Sequence, residues 1–259
     1  MTTPITVINH GTIREIQLAR PPVNALDTAL CRALIAAIEQ AHADDVQGIL
    51  LSGGDRILSA GMDVPALLGY GEDRMRVLET WQAFFGAVRA IGYSRIPLAV
   101  AIIGHCPAGG CVLSLAADYR VMSRSPDPAQ PLRIGLNEVA VGLVAPEGIQ
   151  RLLRRCVGVH RAGTLLTAGQ LVSAEQALAT GMVDELVDAD QVRARALAWL
   201  QGLAALPRAP MLATRAIARA DIHEALQHEH IELERFVQAW YSADAQAALA
   251  ALRARLGKG

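Results

Sequence analysis

Hydrophobic and polar positions in this 259-residue chain fall into short apolar runs separated by longer amphipathic ones. Alternation in Ile5-Thr6-Val7-Ile8 and in Ile13-Arg14-Glu15-Ile16-Gln17-Leu18, with Asn9-His10-Gly11 between them, predicts a β-hairpin. Pro21-Pro22-Val23-Asn24-Ala25-Leu26 reads as an extended loop, because proline disfavours helix in the residue before it. A helical period then runs from Thr28 to about Ala43, with Asp27 placed to cap its start. Gly48 to Gly53 predicts a short buried strand, Arg74 to Ile91 a helix, Leu98 to Ile103 a second buried strand and Tyr119 to Met122 a third. Strands alternating with helices imply an α/β fold, a wound core with parallel strands. From Val192 onward the pattern is helical almost throughout, with Pro207 and Pro210 as interruptions. The expected organisation is a core over residues 1–191 and a helical region over 192–259.

Composition narrows the function classes. Hydrophobic residues make up 52% of the chain, enough for a sizeable core, and the formal net charge of −1 gives no bulk attraction to nucleic acid or to a membrane surface. Aromatic residues are only 4%, which argues against a base-stacking platform. Cys31, Cys106, Cys111 and Cys156 are scattered without a CxxC or a paired Cys/His spacing, so they read as reduced thiols and no metal site is expected. The first residues lack the basic region and apolar run of a signal peptide, and no apolar run spans a bilayer without a charge or glycine. A cytoplasmic protein is the expectation.

Chemistry concentrates where strands end in glycines. The second buried strand feeds into Gly104-His105-Cys106-Pro107-Ala108-Gly109-Gly110-Cys111, which opens an almost wholly apolar helix. Without side chains, Gly109 and Gly110 let another molecule approach their backbone N–H groups, and the positive end of a helix favours negative charge there. Such a corner suits an oxyanion. A second glycine turn, Leu58-Ser59-Ala60-Gly61-Met62-Asp63, follows the first buried strand and can supply another N–H to the same oxygen. No GxGxxG follows the first strand, and GxxxxGK[ST] and GxSxG are absent, which removes the main support for dinucleotide, P-loop and serine-hydrolase readings. Glu138 is the only acid in the apolar stretch Ile134 to Leu143. Apolar surroundings raise a carboxyl's pKa and make it a better base near neutrality. From these residues alone, a glutamate that caps the next turn is an equal alternative.

Together, Arg20-Pro21-Pro22-Val23-Asn24-Ala25-Leu26, Ser59-Ala60-Gly61-Met62-Asp63, Gly104 to Cys111 and Ala117-Asp118 resemble the crotonase (enoyl-CoA hydratase/isomerase) superfamily. The resemblance covers nearly the whole chain. Cys106 to Cys111, Ile134-Gly135-Leu136-Asn137-Glu138 and Gly142-Leu143-Val144-Ala145-Pro146 look most like the Δ3,Δ2-enoyl-CoA isomerases of mitochondrial type. The family implies a spiral of ββα turns, a C-terminal helical region that packs a homotrimer or a dimer of trimers, and an acyl-CoA substrate. It implies no metal or redox cofactor, since CoA is part of the thioester itself.

By motif position, the thioester oxygen is expected between the N–H groups of Met62 and Gly109. Hydratases of this family use two glutamates. One aligns with Glu138, while the other would stand where this chain has Val112. Valine cannot activate water, so the resemblance implies double-bond isomerisation, with Glu138 moving a proton from C2 to C4 of a 3-enoyl thioester. The substrate-binding set expected from the family is Val23, Ala25, Ala60, Gly61, Asp63, Val64, Val112 and Asn137. Asp63 is expected to order its turn, Arg20 to be a solvated arginine or a phosphate contact, and His105 to be a buried, satisfied histidine. Met62, Leu67 and Leu68 are candidates for the acyl pocket, with core packing the alternative for the two leucines. The Ser123–Arg133 loop, rich in proline, is longer than the isomerase pattern. A weak hydratase, a thioesterase and a non-catalytic acyl-CoA-binding scaffold are the rival functions.

Overall fold

The computed structural model describes residues 3–256. The first elements are strands β1 (Ile5–His10) and β2 (Ile13–Leu18), helix α1 (Thr28–Ala43), β3 (Gly48–Ser52), α2 (Val64–Gly69), α3 (Arg74–Gly92) and β4 (Leu98–Ile102). The short β5 (Cys106–Pro107), α4 (Gly109–Leu115), β6 (Tyr119–Ser123) and β7 (Arg133–Gly135) follow. Then come α5 (Glu147–Val157), α6 (Val159–Ala168), β8 (Val172–Ser173), α7 (Ala174–Thr180) and β9 (Glu185–Val187). The rest is helical: α8 (Val192–Ala204), α9 (Arg208–Ala218), α10 (Ala220–Ala225), α11 (His228–Ile231), α12 (Leu233–Trp240) and α13 (Ala243–Leu256).

The main sheet runs β1-β2-β3-β4-β6-β9, antiparallel only at the β1–β2 hairpin and parallel thereafter. Its central strands are buried on both faces, as their unbroken apolar runs require. The pleat sorts their side chains between two cores. Ile49, Leu51, Leu98, Val100 and Ile102 join the large core with α1 and α3, while Leu50, Ala99 and Ala101 face Val192, Ala196 and Leu200 of α8. Asp27 caps α1 as expected, accepting from the Leu30 N–H at 2.7 Å. Pro207 separates α8 from α9, but Pro210 does not interrupt anything. It lies in the first turn of α9, where an N–H has no helical partner to lose.

A second sheet of three short strands, β5-β7-β8, sits apart from the first. Cys106 pairs with Ile134 and Pro107 with Gly135 in parallel register. That register brings the segment after β7 beside the start of α4, although about 28 residues separate Cys106 from Ile134 in the chain.

The C-terminal helices fold back over the core of their own chain. Aromatic side chains of α12 meet those of α3, with Phe236 4.6 Å from Trp81 between ring centres. A Cβ on Gly142 would lie 2.6 Å from the Ala245 Cα, so α13 presses directly on the turn after Glu138. Between α9, α10 and the sheet, Asp118 binds Arg215 at 2.8 Å and Arg219 at 2.9 Å while accepting from the Leu98 N–H at 2.7 Å. α9 itself buries no residue completely, and Ile217 on it is 79% exposed. No helix among the described residues is long and apolar enough to cross a membrane.

Candidate active site

Four segments meet around a cavity of about 860 Å³. The first two are zipped together by backbone bonds. Ala60 N–H donates to Val23 O (3.0 Å), Leu26 N–H to Gly61 O (2.8 Å) and Asp63 N–H to Leu26 O (3.0 Å). Asn24 and Ser59 reinforce the pairing, through Asn24 Nδ2 to Leu58 O at 3.0 Å and Ser59 Oγ to Asn24 O at 2.7 Å. Arg20 locks the outer edge. Its guanidinium binds Asp63 at 2.6 Å, Asp27 at 3.1 Å and the Ala25 carbonyl at 2.8 Å. It is therefore a clamp on the loop rather than a fully solvated arginine. Asp63 orders its turn as anticipated, accepting from the Ala66 N–H at 3.0 Å to cap α2.

The third segment is the turn from β5 into α4. Ala108 has φ +49° and ψ −125°, a conformation that costs an L-residue roughly 1–3 kcal/mol. It directs the chain so that Gly109 begins the helix. Gly61 and Gly109 face each other at close range. A Cβ on Gly61, whose φ is +92°, would sit 3.1 Å from Gly109 N, and one on Gly109 would sit 3.2 Å from Gly61 Cα. Only two glycines allow this approach without displacing backbone. Gly61 N–H is taken by Ser59 Oγ at 3.1 Å. The N–H groups of Met62 and Gly109 have no protein acceptor among the described residues. Met62 and Gly109 both line the cavity, so two unsatisfied donors flank the same space.

The fourth segment follows β7. Asn137 precedes, and Glu138 opens, a 3-10 turn over Glu138–Val141 that ends at Gly142 with φ +73°. The Glu138 side chain does not cap a neighbouring turn. It lines the cavity, as does Asn137. Burial pushes its carboxyl up from 4.5 to about 7, against a smaller opposing effect from a backbone hydrogen bond. Its accessible surface is intermediate, because the remaining exposure opens into the cavity. No cation pairs with it among the described residues. Across the lining, Asp63 is the only other acid among the described residues, and Arg20 and α2 already occupy it. Val112 lies one turn into α4, 2% exposed, and also faces the cavity.

Of the residues expected to contact substrate, Val23, Ala25, Ala60, Asp63, Val64, Val112 and Asn137 line the cavity. Gly61 does not. It stands behind the wall as the spacer that brings Met62 and Gly109 together. His105 is exposed rather than buried, and its Nδ1 accepts from the Arg133 N–H at 3.1 Å. Leu67 is 1% exposed in the core, and neither it nor Leu68 reaches the cavity. Burial pushes the Cys106 thiol up to about 12 and raises Cys111 well above its ordinary value, so neither is a ready thiolate ligand. Sequence reading missed the aromatic part of the lining: Trp81, Phe84 and Phe85 of α3 and Phe236 and Trp240 of α12. Their spacing at i, i+3, i+4 is what any buried helix face shows, so it carries no site signal.

Three relatives bear on this arrangement. A probable enoyl-CoA hydratase, EchA17, from Mycobacterium tuberculosis is 34% identical over 226 residues, covering 84% of this chain and 80% of its own. The mitochondrial enoyl-CoA delta isomerase 1 of Homo sapiens is 31% identical over 215 residues, covering 80% of this chain and 67% of its own. The crystal structure of human mitochondrial Δ3,Δ2-enoyl-CoA isomerase matches with a TM-score of 0.90 at 27% identity, over 98% of both chains. A hydratase name and an isomerase name thus stand equally near. The family described as enoyl-CoA hydratase/isomerase matches residues 9–253, nearly every element that builds the fold and the cavity, and the chain belongs to that crotonase family.

Proposed function

We propose that this protein is a Δ3,Δ2-enoyl-CoA isomerase, acting on the 3-enoyl thioesters that arise when unsaturated fatty acids are degraded. The observation that carries the choice over hydration is the single unengaged carboxylate of the cavity. Hydration needs one group to activate water and another to deliver the proton, and Val112 occupies the position of the water-activating one. Isomerisation needs one proton carrier only.

The thioester oxygen sits between the Met62 and Gly109 N–H groups. Ionised Glu138 takes a proton from C2, and the C2–H electron pair moves into the thioester as an enolate conjugated with the C3=C4 bond. The negative charge rests on the oxygen held by the two N–H groups. Losing one such donor typically costs about 3–4 kcal/mol of transition-state stabilisation. Glu138, now protonated, returns the proton to C4. The electrons close C2=C3, the thioester carbonyl reforms, and Glu138 is again ionised. A carboxyl near pKa 7 suits both halves, since it gives up its proton as readily as it takes one. Val112 keeps water from the β-carbon. Val23, Ala25, Ala60 and Val64 hold the CoA portion largely through backbone groups, on the loop that Arg20 clamps. Exposed α9 is the face through which copies assemble as a trimer or a dimer of trimers.

The deciding assay compares 3-hexenoyl-CoA isomerisation with hydration of 2-hexenoyl-CoA by the same preparation. Isomerisation is expected to dominate. Faster hydration would show that one carboxylate suffices to activate water here and would overturn the reading. Turnover unchanged in Glu138→Gln would remove Glu138 from the mechanism, and binding without turnover in the unaltered protein would favour a scaffold.

A further inference from the structure

The chain contains three Phe and three Trp. Five of these six, Trp81, Phe84, Phe85, Phe236 and Trp240, line the cavity as one cluster of touching rings. They descend from two helices as facing stripes, at i, i+3, i+4 on α3 and i, i+4 on α12. Trp81 is their centre. Its ring stacks on Phe85 at 6.0 Å and 27°, and meets Phe84 (5.9 Å, 80°), Phe236 (4.6 Å, 73°) and Trp240 (5.9 Å, 64°) edge to face. Buried tryptophans ordinarily place the indole N–H on an acceptor. Trp81 Nε1 is buried with no hydrogen-bond partner among the described residues. The indole is therefore held for its ring surface, at the expense of an unsatisfied donor.

Flat, two-torsion side chains make a rigid wall that matches planar groups better than a flexible alkyl chain. Rings prefer the offset and edge-on contacts this cluster already shows among its own members. We propose that the acyl end of the cavity selects enoyl-CoA substrates whose chain ends in an aromatic ring, seated against Trp81, Phe85 and Phe236. This rests on the reading of the cavity as an enoyl-CoA site, and it adds the substrate class.

The test uses unreactive saturated thioesters, so that binding is measured apart from chemistry. Calorimetric titration of the intact protein with 6-phenylhexanoyl-CoA, 6-cyclohexylhexanoyl-CoA and dodecanoyl-CoA holds the carbon number fixed. Both controls are more apolar than the phenyl compound, so hydrophobic transfer alone orders the series against the proposal. The phenyl thioester is expected to bind about fivefold more tightly than either, about 1 kcal/mol at 1.4 kcal/mol per tenfold. The preference should survive in Trp81→Phe, which keeps a ring, and vanish in the double variant Phe85→Leu, Phe236→Leu. Equal or tighter binding of either control by the unaltered protein overturns the proposal without any variant. Preferred phenyl binding without isomerisation of 6-phenyl-3-hexenoyl-CoA would leave the aromatic pocket standing and sink the isomerase reading instead.

Discussion

Replacing Glu138 with glutamine removes a charge that the cavity resists, and the consequence divides by pH. Burial holds the folded-state carboxyl near 7, against 4.5 when exposed. At 1.36 kcal/mol per pKa step, that interval corresponds to about 3 kcal/mol. Below pH 4.5 the side chain is protonated in both folded and unfolded chains, and ionisation contributes nothing to the difference. As pH rises from 4.5 to 7 the unfolded chain ionises first, so the native protein progressively loses stability. Above pH 7 the loss is complete. A glutamine at this position is neutral throughout and of nearly the same shape. Glu138→Gln should therefore melt about 6–12 °C above the unaltered protein at pH 8, taking roughly 2–4 °C per kcal/mol for a chain of this size. The gap should shrink steadily towards pH 5. Thermal melts at one fixed protein concentration check this, because assembly makes melting concentration-dependent. In the same samples, kcat for 3-hexenoyl-CoA should fall by about 10²–10⁴-fold. A melting gap that is the same at pH 5 and pH 8 would refute burial as the cause of the raised pKa. A gap of the opposite sign at pH 8 would show that the ionised carboxylate has a stabilising partner.

Other outcomes follow from the same geometry. In the unaltered enzyme, kcat/KM should rise with pH and level off above an apparent pKa near 7, measured with a substrate that does not titrate there. Gly109→Ala places a Cβ 3.0 Å from Leu26 Cδ1 and 3.2 Å from Gly61 Cα, which parts the two donors; kcat should fall by about 10²-fold or more while the fold persists. Gly110→Ala behaves differently, since its Cβ would lie 2.5 Å from the Ser59 carbonyl oxygen, and loss of soluble protein on expression is the expected readout. Asp118→Asn leaves Arg215 and Arg219 without their shared carboxylate, so chemical denaturation should show a loss of about 3–5 kcal/mol, with KM of the surviving protein unchanged. Arg20→Ala releases the Val23–Ala25 loop, and its signature should be a raised KM with kcat nearly intact.

The chain determined by itself those features that rest on local periodicity and on residue chemistry. Buried strands such as Leu98–Ile102 are legible because a run apolar on both faces has no other place to go. α1 is legible because Asp27 and the period after it satisfy a helix start on their own. The glycine pair and the solitary Glu138 are legible too, since an absent side chain and an isolated acid are properties of residues rather than of folds. Which residues meet across the chain is a different matter. Nothing local to Glu138 says that it faces a cavity instead of capping a turn. The pairing of β5 with β7 decides that, by setting Ile134 opposite Cys106 across a long and irregular loop. Nothing local to His105 excludes burial, and the same β5–β7 geometry leaves it outside. Arg20 reads as a solvated cation until Asp27 and Asp63 converge on it from two other segments. The aromatic lining of the cavity is the clearest case. A stripe at i, i+3, i+4 looks the same whether it fills a core or walls a pocket, and only the packing of α12 onto α3 sets both stripes along the cavity wall. Sequence settles what each segment can do, because propensity and chemistry are local; tertiary structure settles what it does, because burial, pKa and unused hydrogen-bond donors depend on neighbours that are distant in the chain.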